Sequence, residues 1–541
     1  CAPLSGAHKT YLGFMAIQPD LISGLGNRGT LTEEVARPSS SDFDAIDFHA
    51  LGDRPTTGTS RLRNRFLSGA LTPLKAALHR LNQAPIMQPD FPFQPKRAPV
   101  FYGWVILVVA VVGILMSIPG QTAGVSVFTD PLIAATGLSR LALSNAYLIG
   151  TLTSGLLLPL GGIFIDQYGV RLVVVGASIW LALTLVYLSM VDRLAQWMST
   201  SLSLDATFPI AFLFLCIGFV SLRFSGQGML TLVSRTALGK WFDRKRGRVS
   251  GTAGIFVAFG FSSAPLILSF FIDNLGWRGA WLCLAVLVGT GMSSIGWLLL
   301  RDNPEECGLV MDGRSPNVTH KNAPASNPAT APTASGESHP TGYAHSTPRD
   351  FTRSEALRTL VFWAAALALA SQALSITGIT FHIVDIGAAV GLPQKQTVAL
   401  FLPIALFSTL VGYLIGVISD RAKLKAIYIG MMVFEAIGII GMAHLDVLWL
   451  RLAAVVGLGI SGGCFGTLST VTVPRYFGRQ HLGAISGVEM MTIVIASAIG
   501  PSLLAIFKAL FGSYQFGLYL CAALPLAILF LLIPSRNPQE E

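Results

Sequence analysis

The chain has 541 residues, of which 52% are hydrophobic and only 12% charged, and its formal net charge is +9. Soluble domains carry about 25% charged residues, so this balance, with a mean hydropathy of +0.62, excludes an ordinary soluble protein and points to a chain that crosses a membrane many times. The positive charge gathers in particular short loops, so it reads as orientation in a bilayer and no nucleic-acid partner is expected.

Residues 1–98 are polar, with SSSDFD at 40–45 and no apolar run of spanning length, and are expected to form a disordered extension. The apolar segment near Tyr11–Ile17 is too short for a signal peptide, and no cleavage pattern follows it. Met87 heads QPDFPFQPKRAPVFYGW, a fitting cytoplasmic leader. Residues 1–86 are therefore read in two ways, as a non-native upstream extension or as a real unordered tail.

From Phe101 onward the chain is a series of apolar segments of about 20 residues, the length that crosses a bilayer as helix. Helix is required because unpaired backbone groups cannot face lipid. Twelve spans are expected near 101–126, 141–164, 171–190, 208–234, 247–272, 277–300, 359–386, 396–418, 424–443, 447–471, 482–508 and 513–533. The expected domains are a six-span half at 99–300, a linker at 301–354, a second half at 355–535 and a tail at 536–541. The linker holds NAPASNPATAPTASGESHPTG, a flexible composition, and ends in DFTRSEALRT, where Ser354 is expected to cap a short helix before span 7.

Lys96, Arg97, Arg171, the knot from Lys240 to Arg248, Arg421 to Lys425, Arg475 and Arg479 fall on one side of this topology. The other side holds scattered singles such as Arg140, Arg193, Arg278, Lys395 and Arg451. The asymmetry places both termini in the cytoplasm, for a multi-pass protein of the plasma (inner) membrane. The six cysteines show no CxxC or zinc spacing, so no disulfide framework, metal site or cofactor is expected. No Walker loop, HExxH or nucleophile elbow is present, and no enzymatic role is expected.

The halves repeat each other. Gly162-IFI-Asp166-QY-Gly169-V-Arg171 after span 2 corresponds to Gly416-VIS-Asp420-Arg421 after span 8. Lys240-Trp-Phe with Ser250-Gly corresponds to Arg475-Tyr-Phe with Ser486-Gly. Parallel repeats of this kind mark one transporter architecture. The G-x3-D-x2-G-x-R run resembles the best-known signature of the major facilitator superfamily, and Phe219…Arg223-FS-Gly226-Gln227-Gly228 resembles its span-4 arginine motif. Trp241-FDRKRGRVSGTA-Gly254, with Gly103-Trp104 opening span 1, is similar to the monocarboxylate and oxalate/formate group. The resemblance implies an all-α fold of twelve transmembrane helices in two six-helix halves. It also implies a monomeric carrier for a small-molecule substrate, an organic anion such as a monocarboxylate with a co-transported proton. Span 8 has no midspan arginine, span 11 no midspan lysine, and span 5 no glycine-proline motif of drug/proton antiporters. Efflux of an amphiphile and a non-transporting membrane sensor on the same fold are the competing readings.

Several residues are candidates for the chemistry. Arg223 lies inside span 4, where charge is costly and functional by default. It is read as binding an oxyanion bidentately, as tuning a nearby acid, or as a structural group on backbone carbonyls. Gln227 is expected one turn further on the same face. Pro119-Gly120 should break span 1 and free Gln121 and Thr122 for substrate, with Gln372 and Ser375 in the related place of span 7; polar helix contacts are the other reading. Glu489 in span 11 is read as a proton acceptor or as a gate residue bonded to Arg475. Glu435 in span 9 is read as peripheral and structural. Gly162, Asp166, Gly169, Arg171, Asp420 and Arg421 are read as a gate, carboxylates holding the positive ends of facing helices; topology alone is the plainer reading. His382, Asp385 and Asp130 would form an outer gate or simply sit solvated at the interface.

Overall fold

The computed structural model describes residues 76–77, 80–81, 84–201, 207–313 and 349–540, which fall within one compact unit, Pro73–Glu541. Most of the expected extension, and the linker segment 314–348, lie outside the described residues. No strand occurs among the described residues.

Among the described residues, ten helices are long and apolar enough to cross a membrane. Two of them, Arg140–Ser189 and Arg246–Leu299, have 50 and 54 residues, and 50 helical residues would reach about 75 Å if straight, far more than a bilayer's thickness. Each is interrupted by a glycine outside helical geometry, Gly169 (φ 79°, ψ 164°) and Gly276 (φ 67°, ψ 164°). Counting each as two gives the twelve spans that hydropathy predicts. Only glycine takes this positive φ without strain, and at Gly169 a Cβ would also stand 2.5 Å from an Asp302 carboxylate oxygen.

Span 1 breaks where Pro119 removes a backbone donor. The helix Gly103–Met116 gives way to a tight turn at Ile118–Gly120, Gln121 is extended (φ −85°, ψ 157°), and helix resumes over Thr122–Val127. Span 4 starts as α-helix (Thr207–Leu222), widens to a π-helix over Arg223–Leu230 and returns to α-helix through Thr231–Trp241. The break and the bulge fit together: a Cβ on Gly120 would lie 2.8 Å from the Gly226 Cα, so two glycines bring the two backbones into contact. Span 4 therefore reaches Trp241 rather than ending at 234.

Three other expectations change. The segment before span 1, expected to be unordered through residue 98, is folded from Ala84, with tight turns at Pro85–Met87 and Pro95–Arg97. Two guanidiniums hold it: Arg171 donates to the carbonyls of Gln88 (3.0 Å), Phe91 (2.9 Å) and Trp297 (2.7 Å), and Arg301 to those of Pro89 (2.6 Å) and Phe91 (2.9 Å). Arg171, read as a gate, is thus a staple within the first half. The cap before span 7 is Thr352, not Ser354. Its hydroxyl accepts from the Glu355 amide (3.3 Å) and the Glu355 carboxylate accepts from the Thr352 amide (2.8 Å), a reciprocal capping box. Burial pushes the Cys307 thiol, beyond the end of span 6, up to about 12, and the described cysteines are all free.

Each half packs around its own aromatic and aliphatic core. In the first half Trp241 and Trp281 are fully buried, and the Trp241 indole donates to the Arg301 carbonyl at 3.0 Å. In the second half one cluster gathers around Phe362, Tyr428 and Phe477 and another around Ile379, Leu458 and Tyr514. Leu402 and Phe530, each 78% exposed, face outward from the bundle, as side chains meeting lipid must.

Candidate functional site

At the end that carries the basic loops, two carboxylates tie the halves together. Asp166, after span 2, accepts from the amides of Gly483 (2.8 Å) and Ala484 (2.7 Å) at the start of span 11. Asp420, after span 8, accepts from the amides of Gly247 (2.7 Å) and Arg248 (3.2 Å) at the start of span 5. Each caps the positive end of a helix from the other half, and charge-assisted bonds of this type are about twice as strong as neutral ones. Glycines permit the approach: a Cβ on Gly162 would stand 2.0 Å from the Gly483 carbonyl oxygen, and one on Gly247 2.2 Å from that of Gly416. Arg479 adds bonds from the second half to the Lys240 carbonyl (2.9 Å) of the first and to the Glu305 carboxylate (3.0 Å) just beyond its last span.

Above this closure lies a cavity of about 370 Å³ between the halves, walled by spans 1, 4 and 5 on one side and 8, 10 and 11 on the other. Its polar groups include Gln121, Gln227, Thr231 and Ser250 from the first half and Ser408, Thr409, Thr467 and Thr470 from the second. Its apolar wall includes Ile114, Val257, Phe261, Phe465, Met490 and Ile493. Two buried polar atoms in this lining, Gln227 Oε1 and Ser250 Oγ, have no hydrogen-bond partner among the described residues. Buried polar groups are nearly always paired, so these two are exceptions within the cavity wall.

The sequence candidates divide. Gln121 and Gln227 line the cavity, and Gln121 Nε2 donates to Ser117 Oγ at 3.0 Å. Arg223 does not line it. The residue is 1% exposed, and its guanidinium donates to the Gly120 carbonyl (3.1 Å) and Thr122 Oγ1 (3.4 Å) and lies 5.2 Å from the Tyr147 ring centroid. It is drawn instead toward the break in span 1, where the Gly120 carbonyl accepts from it. Gln372 is also set behind the wall, its Nε2 3.9 Å from where a Cβ on Gly462 would be. Glu435 is fully buried and accepts from Ser371 Oγ at 2.8 Å. Glu489 lies in a small recess beside the cavity, and Arg475, which donates to the Ser419 carbonyl, does not bond to it. Arg421 is exposed beside Asp420. The outer-end residues stay apart: Asp130 pairs with Arg140, while His382 and Asp385 both meet Tyr514.

Sequence reasoning missed Arg235. It is the one charged residue of the cavity lining and also lines the recess with Glu489. The signal was present, since TLVSRTALGKW contains no proline and its glycine comes only after Arg235, so the helix that carries Arg223 carries Arg235 as well.

Removing the Arg223 guanidinium leaves the Gly120 carbonyl buried and unpaired, a cost of about 1–3 kcal/mol. Arg223→Ala is expected to lower the thermal unfolding midpoint of the detergent-solubilised protein by a few degrees, and Arg223→Lys to recover part of the loss. An unchanged midpoint in Arg223→Ala would remove the residue from the support of span 1.

The chain shares its fold with solved transporters. It resembles the proton:xylose symporter XylE bound to 6-bromo-6-deoxy-D-glucose (14% identity, TM-score 0.53, 81% of this chain and 98% of that one). It also resembles the human organic anion transporter MFSD10 (14%, 0.51, 81% and 100%). A bacterial homologue of the iron transporter ferroportin in its outward-facing state is similar too (16%, 0.56, 79% and 98%). At these identities the likeness is one of fold. No curated protein matches the sequence significantly. The sequence profile of the Major Facilitator Superfamily matches residues 105–501, which takes in the repeated latch and the cavity: the chain belongs to the major facilitator superfamily.

Proposed function

We propose that the chain is a secondary active transporter that moves a small organic anion, a monocarboxylate in the first instance, together with a proton by alternating access. The observation that carries this reading is the cavity between the halves, closed toward the basic loops and holding a single cation with two unpartnered buried polar atoms. A cation walled by apolar groups favours an anion, and the volume suits a small organic solute. The resemblance of Trp241–Gly254 to the monocarboxylate and oxalate/formate group supports the same class. In this reading the basic loops and both termini are cytoplasmic, and the described state opens outward. Gln121 and Gln227 contact substrate, Arg223 and Gln372 support them from behind, and Glu489 takes the proton. Gly162, Asp166 and Asp420 form the inner gate, with Gly169 and Arg171 shaping the turn beside it and Arg421 flanking Asp420. The carrier acts as a monomer in the plasma (inner) membrane.

The apolar wall of Ile114, Val257, Phe261, Phe465, Met490 and Ile493 favours a second reading, efflux of an amphiphile with an apolar body. Uptake into proteoliposomes under an imposed pH gradient separates the two. Labelled pyruvate, lactate and oxalate are expected to accumulate at least about tenfold over protein-free vesicles and to lose that accumulation when a protonophore is added. Transport of an amphiphilic dye or of xylose, with none of the acids carried, would overturn the anion reading.

A further inference from the structure

We infer that Arg235 is the residue that receives the substrate's oxyanion, and that Glu489, across the boundary between the halves, is its resting counterion, so that the inner end opens when an anion and a proton arrive together. This deepens the transporter reading and rests on it.

The two residues come from opposite halves, Arg235 on span 4 and Glu489 on span 11, and both line a recess of about 20 Å³. A space of that size holds about one water, so no organic anion can insert between them. Arg235 also lines the 370 Å³ cavity and Glu489 does not. An anion therefore meets the guanidinium from the cavity side while the carboxylate stays behind it. Neither the guanidinium nor the carboxylate makes a hydrogen bond among the described residues, and each acts on the other by charge alone. Five donors in a planar fork are thus uncommitted, in the geometry that holds a carboxylate bidentately. Ser250 Oγ, buried and unpartnered, and Thr470, which borders both spaces, supply hydroxyls on the same side.

The other groups around Glu489 do not replace Arg235. Tyr428 on span 9 faces it with a phenol already bonded to Thr472 (2.8 Å). Asp166 from span 2 is held by the Gly483 and Ala484 amides, and Arg475 on span 10 is held by the Ser419 carbonyl. Span 7 brings its only charged or titratable side chains, His382 and Asp385, to the opposite end beside Tyr514. Span 12 brings none charged, and the short helix Arg353–Arg358 spends Glu355 on Thr352 and Arg349. From span 4, Thr236 adds a hydroxyl.

A coupling rule follows. If an anion takes Arg235 alone, Glu489 becomes an unpaired buried carboxylate; if a proton takes Glu489 alone, Arg235 is left unpaired. Each state is costly. With both bound, each charge is compensated within its own half and the attraction between halves is gone, leaving the inner end to its latches. One proton converts the carboxylate to the acid and is released with the anion on the far side, so a monoanion moves without net charge.

Spin labels at Gln167 and Gln480, exposed positions on either side of the inner closure, report its opening in the full-length protein; the unsubstituted protein labelled in the same way is the control. In the wild type, mild acid with pyruvate is expected to raise the open fraction several-fold over neutral pH without pyruvate. Glu489→Gln, an isosteric change, should open with pyruvate at neutral pH and lose its response to acid. Arg235→Gln should lose the response to pyruvate, and Arg235→Lys should keep it at an about tenfold higher half-saturating concentration. If Glu489→Gln keeps the wild-type pH response, or Arg235→Gln still opens with pyruvate, the inference falls while transport stands. If acid alone opens the wild type as fully as acid with pyruvate, the joint requirement falls and the inference with it; if neither pyruvate, lactate nor oxalate changes the open fraction at any pH, the monocarboxylate reading falls.

Discussion

Gly162→Ala is expected to abolish transport, lowering uptake by about a hundredfold or more, through a single added methyl group. A Cβ at this position would stand 2.0 Å from the Gly483 carbonyl oxygen, 2.7 Å from its carbon and 3.1 Å from the Ala484 Cα. All three are backbone atoms of a helix start, so no side chain can turn aside, and the halves must separate by more than an ångström there. The Asp166 carboxylate meets the amides of these same two residues at 2.8 and 2.7 Å. Pushing the helices apart therefore loses both bonds, each worth about 1.5–3 kcal/mol when charged. A loss of about 3–6 kcal/mol moves a two-state equilibrium by two to four decades, and a carrier that cannot close its inner end cannot complete a cycle. Gly176→Ala is the control: nothing lies within 4 Å of a Cβ there, and uptake should be unchanged. Wild-type uptake by Gly162→Ala would show that the described closure is not a working state.

How much of this was legible in the chain depends on whether the signal was local. The twelve spans follow from apolar length alone, and even the two merged helices break at glycines inside the predicted inter-span gaps. The contacts between the halves were legible because Gly-x3-Asp recurs in both, and Asp166 and Asp420 each meet amides of the other half. Arg171 sits in the same motif and reads the same way. Its partners, the carbonyls of Gln88 and Phe91, lie about 80 residues earlier in a stretch whose composition gives no sign of order, so its role as a staple was not legible. Arg223 was found and its surroundings mistaken, because its partner is the Gly120 carbonyl at the break in span 1, 103 residues earlier, a contact that no local spacing registers. Arg235 was overlooked because the span was ended one residue before it, as though a charge must mark the membrane surface. A half-buried arginine facing an acid on another span is a tertiary feature that hydropathy cannot register. Glu489 was legible as an isolated carboxylate in an apolar run, read as a proton acceptor or as a gate residue bonded to Arg475, and neither reading named Arg235.

Neutralising the latch carboxylates should show that the two closures act independently and unequally. Asp166→Asn and Asp420→Asn each remove a negative charge from a helix start and turn one accepting oxygen into an amide that cannot face a backbone N–H. About 1–3 kcal/mol per latch is lost, or roughly a five- to hundredfold shift toward the open inner end. Asp166 should show the larger effect. Its two bonds are both short, whereas Asp420 holds the Arg248 amide at 3.2 Å and borders an open space with Arg244, Arg248 and Arg421, where solvent competes. The carboxylates share no partner residue, so the shifts should add in the double variant to within a few tenths of a kcal/mol. Distances between labels at Gln167 and Gln480 read the populations directly. A double variant no more open than Asp166→Asn would mean that the Asp420 contact bears no load. Equal single effects would mean that solvent exposure does not weaken it. In the proposed alternating-access cycle the same carboxylates let go on every turn, so the variants should also raise the rate of inner opening while slowing the return. Exchange of substrate across the inner face should then survive better than net uptake, and a loss of both in equal measure would place Asp166 and Asp420 in the support of the fold rather than in its gate.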